Sequence, residues 1–246
     1  MYNNKTWGNL DIFRFVQRRV RQGPTRHIVL DMDETLVRTF SGLDKFKTLR
    51  LYGDPNLVSL RKRIYITDDH HHWGVTRPHI DEFLISCLEQ FTTVSVWSAG
   101  TRGYVESVVE YLFRQLPPPD RVLAREQCVI EDGIYKKPIE VINRYIPDVT
   151  YENTLIVEDR STALDDNSSR NGVIIPPYKP MCYPFSLVAD DTTLLTLASW
   201  FREPSFEYAN DLRFVPRPTF DRHRVSVRIR IEPLINQSTN FPIVAV

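Results

Sequence analysis

What this chain lacks narrows it first. It has three cysteines in 246 residues, Cys87, Cys128 and Cys182, and no two stand at CxxC spacing. Such a sparse, odd set predicts free thiols in a reducing compartment and no structural zinc. No apolar run approaches the roughly 18 residues of a membrane-crossing helix, and the N-terminus has no continuous apolar segment of the secretory type. Charge of one sign is missing too: Lys+Arg and Asp+Glu number 31 each, so no global field argues for nucleic acid or an anionic membrane. No internal repeat or low-complexity segment occurs. These absences predict an intracellular soluble protein, nuclear or cytoplasmic, with no direct nucleic-acid binding and no membrane association.

What is present suits one substantial core, or a core plus a small appendage, since 42% of residues are hydrophobic. Residues 1–23 form a basic N-terminal extension, with Lys5, Arg14, Arg18, Arg19 and Arg21 against a single Asp11. It reads as an amphipathic surface helix, although its arginine-rich, acid-poor composition resembles a mitochondrial presequence. From residue 24 to 204, short β-branched runs alternate with helical periods. Strands are predicted at His27–Leu30, Thr92–Trp97, Thr154–Val157 and Gly172–Ile175. Helices are predicted at Pro78–Gln90, Thr101–Leu116, Pro138–Tyr145 and about Thr192–Phe201, the first with Ile80, Phe83, Leu84 and Cys87 on one face. That alternation predicts an α/β fold, a Rossmann-like parallel sheet with helices on both faces and ligands at the carboxyl ends of its strands.

Residues 41–76 break the rhythm. "KTLRLYG", "KRIYITDD" and "HHWGVTRP" read as short alternating strands, a small β insertion. Beyond Pro204, a C-terminal extension over 205–246 includes "RVSVRIRIEP", whose Val225, Val227, Ile229 and Ile231 alternate with polar residues as in a β-strand. That strand reads first as a cover for the core, with addition to a sheet edge or pairing with another chain as alternatives; the oligomeric state itself is not written in the sequence.

The chemistry concentrates in "VLDMDETL". Asp31, Asp33 and Glu34 crowd the end of a buried strand, where carboxylates repel one another and lose hydration. Further polar groups follow in order, each after a strand or at a helix start: Ser98 in "VSVWS", Lys136 and Lys137 in "YKKPI", Glu158 and Asp159 in "LIVEDRS". Carboxylates, a hydroxyl and an ammonium suit magnesium-assisted phosphoryl transfer. A divalent cation must bridge a phosphate dianion to an aspartate that repels it. Lysine and hydroxyl would grip the equatorial oxygens on which charge accumulates.

These motifs resemble those of the haloacid dehalogenase-like phosphatases. Within them they are similar to the branch acting on the C-terminal domain of RNA polymerase II, the NLI-interacting-factor-like group. "DMDETLV" (31–37) resembles the family's "DLDETLV", and "RPHIDEFL" (77–84) its "RPxVDEFL". "VWSAGTRGY" (96–104), "REQCVIEDGIYKKPI" (125–139) and "LIVEDRS" (155–161) match three further motifs. The resemblance spans roughly residues 26–203. It implies Asp31 as the nucleophile forming an aspartyl-phosphate, Asp33 as general acid and then base, and Thr35 as a buttress. It implies Ser98 and Lys137 on the transferring phosphoryl, with Arg160 as a further substrate-binding residue. Lys137 is chosen over Lys136 because the family's lysine stands two residues after the tyrosine, here Tyr135. Magnesium would be held by Asp31, the main-chain carbonyl of Asp33 and Asp159. The implied partner is a phosphoprotein substrate such as the RNA polymerase II C-terminal domain. Two departures stand out. Glu158 occupies a position where the family usually has aspartate, and "KKPI" replaces "KDL", so proline fixes the helix start in place of an acid.

Several other features read as structural. His70-His71-His72 would alternate faces on an extended hairpin and is taken as a loop, and Asp165-Asp166 as a loop pair. Trp73 and Tyr65 in the insertion are assigned equally to peptide contact and to core packing. The intervals between motifs hold no large cap domain, which favours phosphate displayed on a macromolecule. Two alternatives remain open: the same chemistry on nucleic-acid ends or small phosphoesters, and a non-catalytic binding module on this fold.

Overall fold

A computed structural model describes residues 24–43, 57–68 and 71–220. The expected N-terminal helix, the "KTLRLYG" strand, His70 and the Val225–Ile231 strand lie outside the described residues. The chain forms β1 (His27–Leu30), β2 (Val37–Ser41), α1 (Val58–Arg61), β3 (Ile64–Ile66), β4 (His72–Thr76) and α2 (Ile80–Gln90). There follow β5 (Thr93–Trp97), α3 (Arg102–Leu112), β6 (Arg121–Leu123), β7 (Val129–Glu131), β8 (Ile134–Lys136) and α4 (Ile139–Asn143). The remainder is β9 (Thr154–Glu158), β10 (Gly172–Ile174), α5 (Pro184–Leu187), α6 (Thr193–Trp200) and α7 (Pro204–Glu207). The second predicted helix stops short of Leu116: the Phe113 N–H still bonds to the Val109 carbonyl, and Pro117 follows soon after, which disfavours helical backbone before it.

The main sheet is five-stranded in the order β10-β9-β1-β5-β6 and parallel throughout. Alternation along β1 divides the core. Ile28 and Leu30 pack on one side with α2, α3 and α6, through Phe83, Val105, Val108, Leu194 and Leu197. Val29 packs on the other with Trp97, Ile139, Ile142 and Ile156. The predicted parallel sheet with helices on both faces is therefore present. Each such large apolar side chain, fully buried, stabilises the fold by about 1.5–3 kcal/mol before entropy is counted. The core runs on past Pro204: Phe206, Leu212 and Val215 are buried in it, and the Arg26 guanidinium donates to the carbonyls of Glu207 and Ala209 at 2.7 and 3.0 Å.

The insertion is a three-stranded antiparallel sheet in the order β2-β4-β3. Trp73 is fully buried and stacks on Phe40 with ring centroids 4.6 Å apart, which makes it core. A second appendage, the β7-β8 hairpin, was not anticipated. Its turn is Asp132-Gly133, both at positive φ (50° and 74°), as a tight Asp-Gly hairpin turn requires.

Candidate active site

The strand order sets the location. Crossovers leave β1 toward β5 on one side, while β9 lies on the other, so the carboxyl ends of β1 and β9 border the point where the winding reverses, the usual ligand crevice of such sheets. Asp31 is the residue after β1, its N–H donating to the Val157 carbonyl at 2.9 Å. Glu158 ends β9, and Asp159 follows. Ser98 is the residue after β5, tied by its N–H to the Leu123 carbonyl at 3.1 Å.

Between Asp31 and β2 the chain turns tightly. The Met32 carbonyl accepts from both Leu36 and Val37, at 2.8 and 3.1 Å, and Glu34 takes a left-handed φ of 61°. Glu34 pairs with Arg38 and, at 2.7 Å, with Lys179, so it holds the turn and rim together. Thr35 is completely buried. Its carbonyl accepts from Arg77 at 3.2 Å, and the same guanidinium binds Asp191, the Pro176 carbonyl and Thr193. Arg77 thus anchors the acidic turn, a role its place in "RPHIDEFL" did not reveal.

Lys137 arrives from the opposite side, directly after β8, with its N–H on the Ala163 carbonyl at 2.8 Å. Its ammonium donates to Asp31 Oδ1 and, at 2.6 Å, to Glu158 Oε2, and all three residues are buried. Lys136 points elsewhere, its ammonium on the Leu164 carbonyl at 2.9 Å. Asp33 faces away from this ion triplet: Ser98 Oγ donates to its Oδ2 at 3.0 Å and the Tyr104 hydroxyl to its Oδ1. Ser98 Oγ in turn accepts from the Gly100 N–H at 3.0 Å. Asp33 and Asp159, with Glu34, Arg38, Thr39 and Arg160, line a cleft of about 240 Å³. Arg160 stands at its rim, more than half exposed, 3.9 Å from Asp159. Among the expected site residues, then, Asp31, Lys137 and Asp159 sit with Glu158, while Asp33 and Ser98 form an adjoining pair. Tyr104 is the polar neighbour that sequence reading missed.

Charge is concentrated: the carboxyls of Asp31, Asp33, Glu158 and Asp159 crowd the site, and its one buried ammonium bonds to two of them. Burial, with the adjacent Glu158 adding to it and Lys137 opposing, pushes the Asp31 carboxyl up to about 6. Burial likewise raises Asp33, Glu158 and Asp159. Lys137 would be pulled down by burial, but Asp31 and Glu158 more than offset this and keep it charged. Asp31 Oδ2 is buried without a hydrogen-bond partner; the Thr35 hydroxyl favours the charged form of that carboxyl without closing a bond of normal geometry. One carboxyl oxygen from each of Asp31, Glu158 and Asp159 lies within 4.8 Å of the others. An all-oxygen, surplus-negative set with an unpartnered buried oxygen fits a hard divalent cation such as magnesium. Among the described residues the histidines form no such group.

A parallel sheet with this carboxylate and lysine cluster at its switch point is an arrangement suited to phosphoryl transfer, and the chain's family is a phosphatase family. The chain belongs to the NLI interacting factor-like phosphatase family, whose model matches residues 26–213. Among curated proteins it is similar to the CTD nuclear envelope phosphatase 1 homolog of Caenorhabditis elegans, 26% identical over 86% of this chain and 78% of that protein. It is also similar to nuclear envelope morphology protein 1 of Schizosaccharomyces pombe, 23% identical over 77% of this chain; the chain spans only 35% of that protein's length. A solved structure of Fcp1, an essential RNA polymerase II CTD phosphatase, superposes with a TM-score of 0.47 at 18% identity, covering 63% of this chain and 42% of that one.

Proposed function

We propose that this chain is a magnesium-dependent phosphatase that hydrolyses phosphoserine or phosphothreonine displayed on a protein, through an aspartyl-phosphate on Asp31. The observation that carries this reading is the Lys137 ammonium held between Asp31 and Glu158. It keeps the nucleophilic carboxylate charged in a buried setting and supplies a donor where a transferring phosphoryl must sit. An oxygen of Asp31 attacks phosphorus as the bond to the serine or threonine oxygen breaks. Asp33 gives its proton to that leaving oxygen, then takes one from the water that attacks the aspartyl-phosphate, which restores Asp31 and releases phosphate. Ser98 and Lys137 donate to the equatorial oxygens, and Arg160 at the rim meets the substrate's remaining negative charge. Asp31, Asp159 and the Asp33 carbonyl would hold magnesium, with Glu158 beside them engaged by Lys137; the ion supplies neutralisation of the phosphoryl charge.

The substrate class is supported by space. Between β1 and α2 the described residues hold the three-stranded insertion and the short α1, and between β6 and Lys137 a 3-10 turn and a hairpin, so no large cap lies over the cleft among the described residues, which suits an extended peptide. The worm relative is named a CTD nuclear envelope phosphatase, which supports a nuclear site of action; the substrate we propose is a phosphoprotein such as the RNA polymerase II C-terminal domain. Among the described residues, no helix is long and apolar enough to cross a membrane. The test is hydrolysis of phosphoserine and phosphothreonine peptides with and without magnesium, by wild type and Asp31→Asn. Magnesium-dependent turnover lost in the variant is expected. No turnover by wild type, or full activity in Asp31→Asn, overturns the reading.

A further inference from the structure

The β insertion reaches into the catalytic pair. Beyond Asp33, the Tyr104 hydroxyl lies 2.5 Å from Thr39 Oγ1, and Thr39 Oγ1 lies 2.6 Å from the Tyr65 hydroxyl. A phenol has one proton, and that of Tyr104 goes to the Asp33 carboxylate. The Tyr104 oxygen must therefore accept from Thr39, and the Thr39 oxygen from Tyr65. All three O–H groups thus point toward Asp33, and each bond polarises the next.

The register of the insertion builds this chain. Thr39 on β2 and Tyr65 on β3 are not neighbouring strands' residues; both stand opposite Gly74 on the central strand β4. A Cβ at Gly74 would lie 2.3 Å from both Cζ and the hydroxyl of Tyr65, so the phenol crosses the central strand only because that position is bare. Gly100 has the same relation to Tyr104, whose Cδ1 would be 2.7 Å from a Cβ there. Two glycines on separate elements leave room for two tyrosines of one hydrogen-bonded row. Tyr65 is buried, while Asp33 and Thr39 line the cleft, so the row runs from the interior of the insertion to the reacting end.

Resting on the phosphatase reading above, we propose that Tyr104, backed by Thr39 and Tyr65, is a positioning residue for Asp33. Together with Ser98 it fixes both carboxyl oxygens, so that the proton Asp33 carries is aimed at the leaving oxygen as the phosphorus–oxygen bond breaks. The insertion then belongs to the catalytic support as well as to the cleft wall.

The consequence depends on the leaving group. A p-nitrophenolate departs without a proton, whereas a serine alkoxide needs one. The quantity to compare is kcat/KM, which covers steps only as far as phosphoryl transfer to Asp31. Tyr104→Phe, Thr39→Val and Tyr65→Phe keep side-chain shape, and each is assayed with magnesium on p-nitrophenyl phosphate and on a phosphoserine peptide. Tyr104→Phe is expected to lower kcat/KM for the phosphoserine peptide by about tenfold or more while changing the aryl ester by less than about twofold, a share of what a positioned acid contributes. Tyr65→Phe, remote from the cleft, should show a smaller loss with the same ester preference, and Thr39→Ser should restore the wild-type ratio. Equal losses on both esters, or none on either, overturn the proposal. A wild type that turned over neither ester would overturn the phosphatase reading and this proposal with it.

Discussion

Lys137 and Glu158 are joined by a buried ion pair with the ammonium 2.6 Å from Glu158 Oε2, and neither side chain is more than 1% exposed. Glutamate here, where the resemblance leads one to expect aspartate, reaches the lysine and shares it with Asp31. Its charge is also the second cause, after burial, of the raised Asp31 carboxyl. Glu158→Gln keeps the length and removes the charge. Asp31, pushed up to about 6 in the metal-free protein, should then ionise at lower pH, as an NMR titration of its carboxyl without magnesium would show. An unmoved or raised titration would mean that Glu158 does not act on Asp31 through its charge.

Removing the cation is a harsher change. Lys137→Met leaves Asp31 and Glu158 buried without their shared counter-charge. Stripping one partner from a buried pair costs roughly 3–5 kcal/mol, and the carboxyls answer by taking up protons. Denaturant unfolding near pH 7 should show most of that loss, with a smaller one near pH 5. A variant as stable as wild type at both pH values would mean that the pair is solvated in solution.

The way these groups meet shows what a sequence can and cannot disclose. Each site carboxylate or hydroxyl follows a β-branched run, and a strand's end is readable from composition; so Asp31, Ser98 and Glu158-Asp159 could be placed at one edge of a sheet. The choice between Lys136 and Lys137 rested on spacing from Tyr135, and their ammoniums do diverge, one to Leu164 and one to Asp31. What stayed hidden depends on register or on distant packing. The hairpin Val129–Lys136 announced itself only by Asp132-Gly133. The Tyr65–Thr39–Tyr104 row exists because β2 and β3 flank Gly74, a pairing no local pattern encodes. Arg77 pins Thr35 from 42 positions away.

Magnesium and pH should act together on stability. Asp31, Asp33, Glu158 and Asp159 all carry values above the ordinary carboxylate range, burial leading in each. A carboxyl that holds its proton more tightly when folded favours the fold below its unfolded value, about 4. That contribution is lost as pH rises through the folded value, about 6 for Asp31. The metal-free protein should therefore gain less from this cluster at pH 8 than at pH 5, and magnesium should raise Tm more at pH 8. Asp159→Asn should shrink the magnesium effect. A Tm shift that is the same at both pH values, or unchanged by the substitution, would argue that magnesium binds elsewhere.

Gly74→Ala tests whether the insertion's packing is as tight as the tyrosine row requires. The added methyl would meet Tyr65 at 2.3 Å and the Arg38 carbonyl at 2.7 Å. The phenol is the end of a side chain and can swing; the carbonyl belongs to β2, which is paired with β4 along its whole length, and cannot move without opening that ladder. Overpacking of this kind typically costs about 1–3 kcal/mol. If Tyr65 yields, its hydroxyl leaves Thr39, and the variant should show the ester preference of Tyr65→Phe together with a lower Tm. If β2 yields, Thr39 moves with it and Tyr104 loses its donor, so the aryl ester should again be spared relative to phosphoserine. Both routes predict a combined fall in Tm and in the phosphoserine-to-aryl ratio of kcat/KM. A fall in Tm alone would mean that the insertion can be strained without disturbing Asp33.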